Sequence, residues 1–354
     1  MNLFFKILLL PFTVLYGITV FLRNKFYDWG LFRSVSFHIP VICVGNISAG
    51  GTGKTPAIEY LIRIFQKQNY NIATLSRGYG RKTKGFILAD SSSTATIIGD
   101  EPLQFQRKFQ HIRVSVCENR VTGINLLLEQ KPSPDVILLD DAFQHRRVKP
   151  GLTILLTEYD KLYSSDWLLP SGRLREFRTG ACRANIIIVT KSPEHLMEKE
   201  KQDIVRKLNP KKDQTVLFSF IRYQEPLAFF DAGKRKLTSL SADTEILLFS
   251  GIANPKPLEL YLKTKHHKVD SLSYGDHHVY TENDLKKISQ KFRNIASENK
   301  AIFTTEKDFM RLVHHEFITE WSDVPVYYLP LEMAFNNIEN LVFEQIILSY
   351  AEKN

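Results

Sequence analysis

Cysteines, repeated segments and long hydrophobic runs are all scarce in this sequence of 354 residues. The three cysteines are widely separated and form no CxxC pair: Cys43, Cys117 and Cys182. An odd number of cysteines without metal-ligand spacing argues against a disulfide framework and a zinc site, and it favours a reducing cytosol. The chain also has no internal repeat and no long low-complexity tract.

The apolar run at residues 7–22 is shorter than the ~20 residues that a spanning helix needs, and Pro11 interrupts it. No small-residue cleavage site follows, which makes a secretory signal peptide a poor interpretation. Basic residues flank the run: Lys6, Arg23 and Lys25. We therefore expect a helix that lies in or dips into the membrane interface, with Tyr16 and Tyr27 at headgroup level. A helix packed on the protein's own core and a spanning anchor are the alternatives.

The composition is that of a folded protein with an anionic partner. Hydrophobic residues make up 44% and charged residues 24%, which excludes a disordered chain. Lys and Arg outnumber Asp and Glu by 47 to 38, and the net charge of +9 suits nucleic acid, nucleotide or phospholipid headgroups without choosing among them. The length favours one large domain and a smaller one.

Short apolar runs alternate with helical patterns, which predicts an α/β fold with a mostly parallel sheet and helices on both faces. The first part has strands at 39–44, 71–75, 112–116, 135–139, 152–156 and 186–189, and helices at 55–68 and 121–128. Turn-rich, charged stretches at 210–213 and 233–236 indicate a soft boundary. Beyond it, strands are predicted at 245–249, 301–304 and 324–329, and helices at 257–263, 283–296 and 338–350. We expect a membrane-associated helix (1–26), a core domain (27–220) and a smaller C-terminal α/β domain (221–354).

Residues 50–55 read GGTGKT, directly after the first predicted strand. This is the pattern of a P-loop, in which small residues let backbone N–H groups turn towards phosphate oxygens. Lys54 would hold the β- and γ-phosphates of ATP, and the Thr55 hydroxyl would bind Mg²⁺. The full pattern has Gly where this chain has Ser48, but the required strand and helix flank the motif. The residues predicted to bind the nucleotide in this P-loop NTPase-type fold are Ser48, Ala49, Gly50, Gly51, Thr52, Gly53, Lys54 and Thr55.

A carboxylate at the end of a neighbouring strand would complete the Mg²⁺ site. The apolar strand at 135–139 is followed by Asp140 and Asp141. Paired aspartates after a strand are more often turn or cap residues when they occur alone. Because these follow a P-loop, we predict that Asp140 binds the metal together with Thr55.

Further polar clusters follow predicted strands or lie in loops, where α/β proteins gather functional groups. They are SRGYGR at 76–81, GDEP at 99–102, QHRR at 144–147, LPSGRLRE at 169–176 and GDHH at 275–278. Each has a structural alternative of comparable weight. Asp100 is also suited to cap a helix, and His277 and His278 also suit a surface turn.

Eight short motifs follow one another along most of the chain: GGTGKTP (50–56), LSRGYGR (75–81), GDEP (99–102), DD-x-x-QH (140–145), LP-x-G-x-LRE (169–176), GIANP (251–255), DHH (276–278) and TEKD (305–308). Together with the N-terminal apolar segment they resemble the tetraacyldisaccharide 4′-kinases of lipid A synthesis. Each motif alone is weak, but eight in order are specific. The chain departs from the family pattern at Ala142, Phe143 and Arg173, which bears on local loop shape.

The resemblance implies ATP-dependent phosphorylation of the 4′-hydroxyl of a tetraacylated glucosamine disaccharide 1-phosphate, at the cytoplasmic face of the inner membrane. It implies ATP and Mg²⁺ as cofactors, and the acylated lipid and the inner-membrane surface as partners. It also implies that Asp100 is the catalytic carboxylate and that His277 pairs with it, while Lys54 acts on the phosphates. Closure of the two predicted domains would assemble this pair. The candidate substrate contacts are Arg77, Arg81, Glu101, Asn119, Arg120, His145, Arg173 and Arg175.

Two rival functions are weaker on sequence grounds. In a membrane-peripheral P-loop GTPase, the strand end at Val189, Thr190 and Lys191 would be followed by a guanine-binding Asp, but Ser192 and Pro193 follow instead. In a nucleic-acid-binding ATPase, we would expect a stripe of aromatic and basic residues, but the basic residues of this chain are scattered. We therefore expect no nucleic-acid partner.

Overall fold

The computed structural model describes residues 7–230, 240–313 and 315–353. The turn predicted at 233–236 lies outside the described residues. Within them the helices are α1 (Leu10–Asp28), α2 (Lys54–Lys67), α3 (Ala95–Ile98), α4 (Asp100–Lys108), α5 (Arg120–Leu128), α6 (Glu198–Leu208), α7 (Lys256–Lys265), α8 (Glu282–Arg293), α9 (Glu306–Leu312) and α10 (Asn337–Glu352).

The strands of the described residues are β1 (Val41–Gly45), β2 (Ile72–Ser76), β3 (Ile87–Leu88), β4 (Arg113–Val116), β5 (Val136–Asp140), β6 (Leu152–Glu158), β7 (Ile186–Thr190), β8 (Thr215–Tyr223), β9 (Leu227–Ala228), β10 (Glu245–Ser250), β11 (Val269–Ser273), β12 (Lys300–Thr305), β13 (Val326–Leu329) and β14 (Leu331–Phe335).

Nine strands form a large sheet in the order β14-β8-β7-β6-β1-β5-β2-β4-β3. The seven strands from β8 to β4 in this order run parallel, while β14 and β3 at the two edges are antiparallel to their neighbours. The central strands are continuous apolar runs because both faces of the sheet are covered. The predicted mostly parallel α/β sheet is confirmed.

Alternate residues of β1 pack into two separate cores. Ile42 and Val44 belong to a cluster with residues of α2 and α10 on one face. Val41 and Cys43 belong to a second cluster with residues of α5 on the other face. Each large apolar side chain buried in this way contributes roughly 1.5–3 kcal/mol relative to an exposed one. The sheet is therefore a layer between helices, and its loops at either end are free to carry function.

Five strands form a second sheet in the order β11-β10-β12-β13-β9, and only β9 is antiparallel. This confirms a smaller α/β unit after the first sheet. The chain then returns to the large sheet, because β14 pairs with β8 and α10 packs into the core beside α2. The boundary proposed at residue 220 falls inside β8. The division into 1–26, 27–220 and 221–354 stays a prediction, and sheet pairing groups residues 331–352 with the core.

Helix α1 lies on the loop at 168–177 with one face and exposes the other. Thr13 Oγ1 lies 2.6 Å from Ser171 Oγ. Tyr16 donates its hydroxyl hydrogen to the Arg175 carbonyl at 2.7 Å, and its position at headgroup level stays a prediction. Among the described residues, no helix has the length and apolarity required to cross a membrane.

Candidate active site

The carboxyl ends of the central parallel strands bring the predicted site residues to one edge of the large sheet. In the register of β1 and β5, Val44 lies beside Asp140. The loop that follows β1 and the aspartates at the end of β5 are therefore neighbours. Ser76 at the end of β2 likewise lies beside Val116 at the end of β4. Ligands of open α/β sheets bind at this edge.

The P-loop bends at positions that favour glycine. Gly50 has φ +115° and Gly53 has φ +87°, which are left-handed conformations that cost other residues free energy. A Cβ built on Gly50 or Gly51 would point into open space. Helix α2 begins at Lys54 directly after the loop, and a helix N-terminus favours negative charge. The loop therefore leaves room for phosphate oxygens to approach its backbone.

Neighbouring strands hold the P-loop in place. Asn46 Nδ2 donates to Thr52 Oγ1 at 2.7 Å, and Thr190 Oγ1 at the end of β7 donates to the Thr52 carbonyl at 2.9 Å. Lys191 Nζ donates to the Gly51 carbonyl at 2.5 Å. The Asn46 bond lies within the loop, and the bonds from Thr190 and Lys191 hold the loop from the β7 side of β1, opposite β5.

The start of the P-loop is tied to the LPSGRLRE segment. Ser48 is buried and forms an isolated antiparallel bridge with Leu174. The next residue, Ala49, donates its N–H to the Arg173 carbonyl at 2.6 Å. The side chain of Ser48 is therefore accommodated by a strand-like pairing where the general pattern has glycine.

Asp140 is buried at the end of β5, and its Oδ1 has no hydrogen-bond partner among the described residues. Burial, and then the Asp141 charge, raise the pKa of Asp140 to about 7. A buried oxygen without a partner costs free energy unless a cation or a donor completes it. Carboxylate and hydroxyl oxygens suit Mg²⁺, which takes its other ligands from phosphates and water. Asp140 and Thr55 therefore fit a nucleotide-bound Mg²⁺ ion.

No group of three or more His, Cys, Asp or Glu residues able to hold a metal ion occurs in the described ranges. A metal at this edge would thus depend on the nucleotide for part of its coordination.

Asp141 forms an ion pair with the lysine of the P-loop. Lys54 Nζ lies 3.8 Å from Asp141 Oδ1, and Arg175 Nη1 lies 3.1 Å from both Asp141 oxygens. Asp141 has φ +46°, an unusual backbone conformation for a residue other than glycine. The two aspartates therefore have different surroundings: Asp140 is buried with an Oδ1 that no described residue bonds, and Asp141 is half-buried between two cations.

The structure joins Asp100 of α4 to His277 of the loop after β11. His277 Nδ1 lies 3.3 Å from Asp100 Oδ2, and Arg311 Nε of α9 donates to the same oxygen at 2.8 Å. Burial alone would raise the pKa of Asp100, but the His277 contact and the Arg311 guanidinium outweigh it and hold that pKa below its usual value. The pairing predicted from the sequence is thus present between elements of the two sheets.

The Asp100 side chain does not cap a helix. The N-cap of α4 is Gly99, with no side-chain cap hydrogen bond, and Asp100 is the first helical residue. His277 does lie in a turn, with φ +56°. Its ring is nevertheless held between Asp100, Arg311 and the ring of Tyr79, whose centroid is 5.5 Å away.

Arg311 was missed by sequence reasoning. It lies one turn after Asp308 of the TEKD motif, and that spacing was the available signal. Asp308 Oδ2 accepts hydrogen bonds from the Gly251 N–H at 3.0 Å and from Thr305 Oγ1 at 2.6 Å. The GIANP and TEKD motifs therefore meet, and together they orient the helix turn that carries Arg311.

Four of the candidate substrate residues form a group near the aspartates: Arg175, which contacts Asp141, and Arg120, His145 and Asn119. Arg120 is buried and donates to the carbonyls of Cys117 and Asp140, at 2.9 and 3.4 Å. His145 Nε2 accepts the Arg120 N–H at 3.3 Å, and burial, followed by the nearby arginines, lowers the pKa of His145 to about 4. Asn119 caps α5 by accepting N–H groups with its side chain.

The remaining candidates lie further from this cluster or are paired elsewhere. Arg77 is exposed, and Arg81 pairs with Glu118 at 2.5 Å. Glu101 pairs with Lys307 at 2.7 Å. Arg173 pairs with Asp166 at 2.8 Å, and its carbonyl accepts the Ala49 N–H at the start of the P-loop. The roles of these residues, and of the nucleotide and metal residues above, stay predictions.

The large sheet carries a P-loop after its first strand and, on the adjacent strand, an aspartate suited to binding a metal ion. A second carboxylate has a histidine partner. Together these features define a P-loop phosphotransferase.

Comparison with known proteins gives the family. The family model described as tetraacyldisaccharide-1-P 4′-kinase matches residues 5–351. A tetraacyldisaccharide 4′-kinase of Bacteroides thetaiotaomicron is 46% identical over 355 residues, covering 98% of this chain and 93% of the relative. Its counterpart in Flavobacterium johnsoniae is 46% identical over 354 residues, covering 100% and 99%. A crystal structure of LpxK from Aquifex aeolicus in complex with ATP has a TM-score of 0.73 at 27% identity, over 98% of this chain and 99% of that one.

The chain belongs to the tetraacyldisaccharide 4′-kinase family. The resemblance read from the eight motifs is confirmed, and the chain is a kinase.

Proposed function

We propose that this kinase transfers the γ-phosphate of ATP to the 4′-hydroxyl of a tetraacylated glucosamine disaccharide 1-phosphate, a step of lipid A synthesis, with Mg²⁺ bound beside the P-loop. Family membership supports the reaction and its lipid acceptor, and the ATP-bound relative supports the donor. The observation that carries the assignment of the site is the P-loop lying beside Asp140 at the ends of β1 and β5. Asp140 is a buried carboxylate whose Oδ1 has no partner in the part of the chain that the structure describes.

The phosphates of ATP would bind to the backbone of residues 50–53, with Lys54 released from Asp141 to neutralise their charge. Thr55 and Asp140 would hold Mg²⁺. When bound, the ion would supply positive charge against the phosphate oxygens. Lys54 is well suited to this exchange because its contact with Asp141 is 3.8 Å long and part-exposed, which makes it a weak ion pair.

Asp100 would take the proton of the sugar hydroxyl. As the bond between the 4′-oxygen and the γ-phosphorus forms, the bond between that phosphorus and the β–γ bridging oxygen breaks and ADP leaves. The hydroxyl proton passes to Asp100 Oδ1, and His277, whose Nδ1 lies 3.3 Å from Oδ2, would later carry it away. Asp100 and His277 come from the two α/β units, so binding of ATP and of the lipid would be linked to the contact between these units.

The membrane surface would be contacted by the exposed face of α1 and the adjoining loop. Phe12, Leu15 and Ile18 are all more than half exposed, at 64%, 66% and 52%. Trp167, just before the 168–177 loop, and Phe177 at the end of that loop are exposed too. The ring centroids of Phe177 and Phe21 lie 6.3 Å apart. Contiguous apolar surface of this kind is typical of interfacial attachment. This supports a peripheral position at the cytoplasmic face of the inner membrane, where the acylated acceptor would be available.

The test is transfer of labelled γ-phosphate by the purified protein. ATP and GTP are supplied separately, each with and without tetraacyldisaccharide 1-phosphate in detergent micelles. We expect lipid-dependent labelling with ATP, and loss of labelling when Mg²⁺ is chelated. Nucleotide hydrolysis that is insensitive to the lipid, or a strong preference for GTP, would contradict the proposal and favour an ATPase or a GTPase switch.

A further inference from the structure

The guanidinium of Arg311 occupies the centre of the contact between the two sheets, and all three of its nitrogens are engaged. Nε donates to Asp100 Oδ2 at 2.8 Å. Nη1 donates to Asp308 Oδ1 and to the Gly251 carbonyl, both at 2.9 Å. Nη2 faces His277 Nδ1 at 3.2 Å. The side chain is only 8% exposed, so its orientation is fixed by these partners rather than by solvent.

The contacts of His277 Nδ1 constrain where its proton can be. A guanidinium nitrogen can only donate, so Nδ1 must lack a hydrogen when it accepts from Arg311. The 3.3 Å contact with Asp100 Oδ2 is a hydrogen bond only when Nδ1 carries a hydrogen. The two bonds therefore belong to different protonation states of the ring. In the neutral ring that accepts from Arg311, the hydrogen is on Nε2, which lies 4.0 Å from Asp276 Oδ1.

The two oxygens of Asp100 are not equivalent. Oδ2 receives Arg311 and faces His277, whereas Oδ1 accepts no hydrogen bond from any residue in the described ranges. A carboxylate fixed through one oxygen presents the other in a defined direction. Oδ1 is thus the oxygen available to an incoming hydroxyl group.

We propose that Arg311 is a positioning residue for phosphoryl transfer: it fixes Asp100 through Oδ2, leaves Oδ1 to accept the acceptor's proton, and keeps His277 Nδ1 as an acceptor until Asp100 is protonated. This inference rests on the proposed function of Asp100. Once Oδ1 has taken the proton, the positive charge of Arg311 is no longer matched by Asp100. Asp100 then gives this proton up through His277: Nδ1 accepts it, the carboxylate is restored, and the ring, which is 36% exposed, releases the proton to solvent.

Other charged groups also surround this contact and bear on its titration. Glu101 follows Asp100 in α4 and pairs with Lys307 of α9. Asp308 of α9 partly neutralises Arg311, and Asp276 faces the far side of His277. Arg311 is the cation bonded directly to Asp100. Its removal should therefore raise the pKa of Asp100 and move the acid limb of kcat/KM to higher pH.

The experiment compares Arg311→Met, Arg311→Lys and Lys307→Met with the wild type. Lys307→Met is the matched control, because it removes a cation and an ion pair from the same helix without touching Asp100. For each folded variant, kcat, KM for ATP and the pH profile of kcat/KM are measured with the lipid acceptor. For Arg311→Met we expect kcat to fall about 10- to 100-fold, KM for ATP to change less than about twofold, and the acid limb to rise by about 1 unit. Arg311→Lys should keep the limb near its wild-type position with a smaller loss of kcat, and Lys307→Met should not move the limb.

The inference is overturned if the acid limb of the pH profile does not move in Arg311→Met, which is the result expected of an arginine with a structural role alone. It is also overturned if the acid limb moves equally far in Lys307→Met. If Arg311→Met does not fold, the wild type decides by ¹⁵N spectra of its histidines, with His277→Gln identifying the signal. At the pH of maximal kcat, the inference requires an unprotonated Nδ1 in the enzyme without substrates, and a hydrogen on Nδ1 overturns it. The proposed function fails separately, if Asp100→Asn transfers phosphate at the wild-type rate.

Discussion

Glu59 and Glu306 share the ammonium group of Lys108. Glu59 Oε2 lies 2.8 Å and Glu306 Oε1 lies 2.9 Å from Lys108 Nζ. Gln104 Nε2 donates to both carboxylates, at 2.7 and 3.1 Å. Glu59 belongs to the helix that follows the P-loop, and Glu306 begins the helix that carries Arg311. This buried polar contact therefore links the nucleotide-binding helix to the helix that holds Asp100 in position.

The Glu59–Glu306 contact predicts a specific dependence of stability on pH. Burial, and then the Glu59 charge, raise the pKa of Glu306 to about 7 from the usual 4.5. A folded-state pKa above the unfolded value stabilises the fold at low pH, and that stabilisation is lost as the pH rises to about 7. Glu306→Gln cannot titrate. We expect its melting temperature, relative to wild type, to rise between pH 5 and pH 8, by an amount corresponding to about 1–3 kcal/mol.

The control is Glu198→Gln, which changes an exposed glutamate on α6. Its melting temperature should follow that of the wild type at every pH. If the difference between Glu306→Gln and wild type is the same from pH 5 to pH 8, then Glu306 does not titrate in this range and the description of the contact is wrong.

Asp140→Asn should separate stability from catalysis. The variant removes a buried charge whose Oδ1 bonds to none of the residues in the described ranges, so the melting temperature without nucleotide should stay the same or rise. Turnover should fall at least 10²-fold, because an amide is a poor ligand for Mg²⁺ in a site that must neutralise phosphate charge. Lys54→Met should reduce turnover similarly. Circular dichroism and phosphate-transfer rates at saturating ATP and lipid make the comparison, and a folded Asp140→Asn enzyme with near-normal kcat would remove this residue from the metal site.

Substitutions on the exposed face of α1 should weaken membrane attachment without affecting ATP binding. The variant Phe12→Ser/Leu15→Ser/Ile18→Ser changes three exposed side chains and leaves the hydrogen bonds of Thr13 and Tyr16 to the 168–177 loop in place. Each exposed apolar side chain buried in lipid contributes on the order of 1–2 kcal/mol, so three losses should greatly reduce sedimentation with anionic vesicles. Full co-sedimentation of the triple variant would show that another surface attaches the protein.

Deleting residues 2–22 would be a less clean experiment. That deletion removes the contacts of Thr13 with Ser171 and of Tyr16 with Arg175. Both contacts are made to the 168–177 loop, and this loop in turn supports Ala49 at the start of the P-loop. A loss of activity in the deletion would therefore not distinguish membrane attachment from loop support.

The strands and helices around the P-loop could be predicted from the sequence because their patterns are local. The strand expected at 135–139 is found at Val136–Asp140, and the helix expected at 55–68 is found at Lys54–Lys67. Continuous apolar runs and glycine-rich turns are short-range signals that tertiary packing seldom overrides. The pairing of Asp100 with His277 was available only through the family resemblance, since 177 residues separate the two.

What the sequence did not predict depends on long-range packing. The return of β14 and α10 to the large sheet is set by pairing with β8, which carries no local signature. The role of Arg311 depends on four partners that come together only in the folded chain. The hydrogen bond of the Tyr16 hydroxyl to the Arg175 carbonyl likewise joins residues that are 159 apart in the sequence.

The most direct test of the account is the phosphate-transfer rate of Asp100→Asn, measured as kcat at saturating ATP and lipid beside His277→Ala and the double variant. Asparagine keeps the size of the side chain and loses its basicity, so we expect a loss of about 10²–10⁴-fold. His277→Ala should also lower kcat, and the double variant should lose less than the product of the two single losses, as groups that act as one unit do. Near-normal turnover in Asp100→Asn would contradict the assignment of Asp100 as the base, and strictly multiplicative losses would mean that Asp100 and His277 act independently.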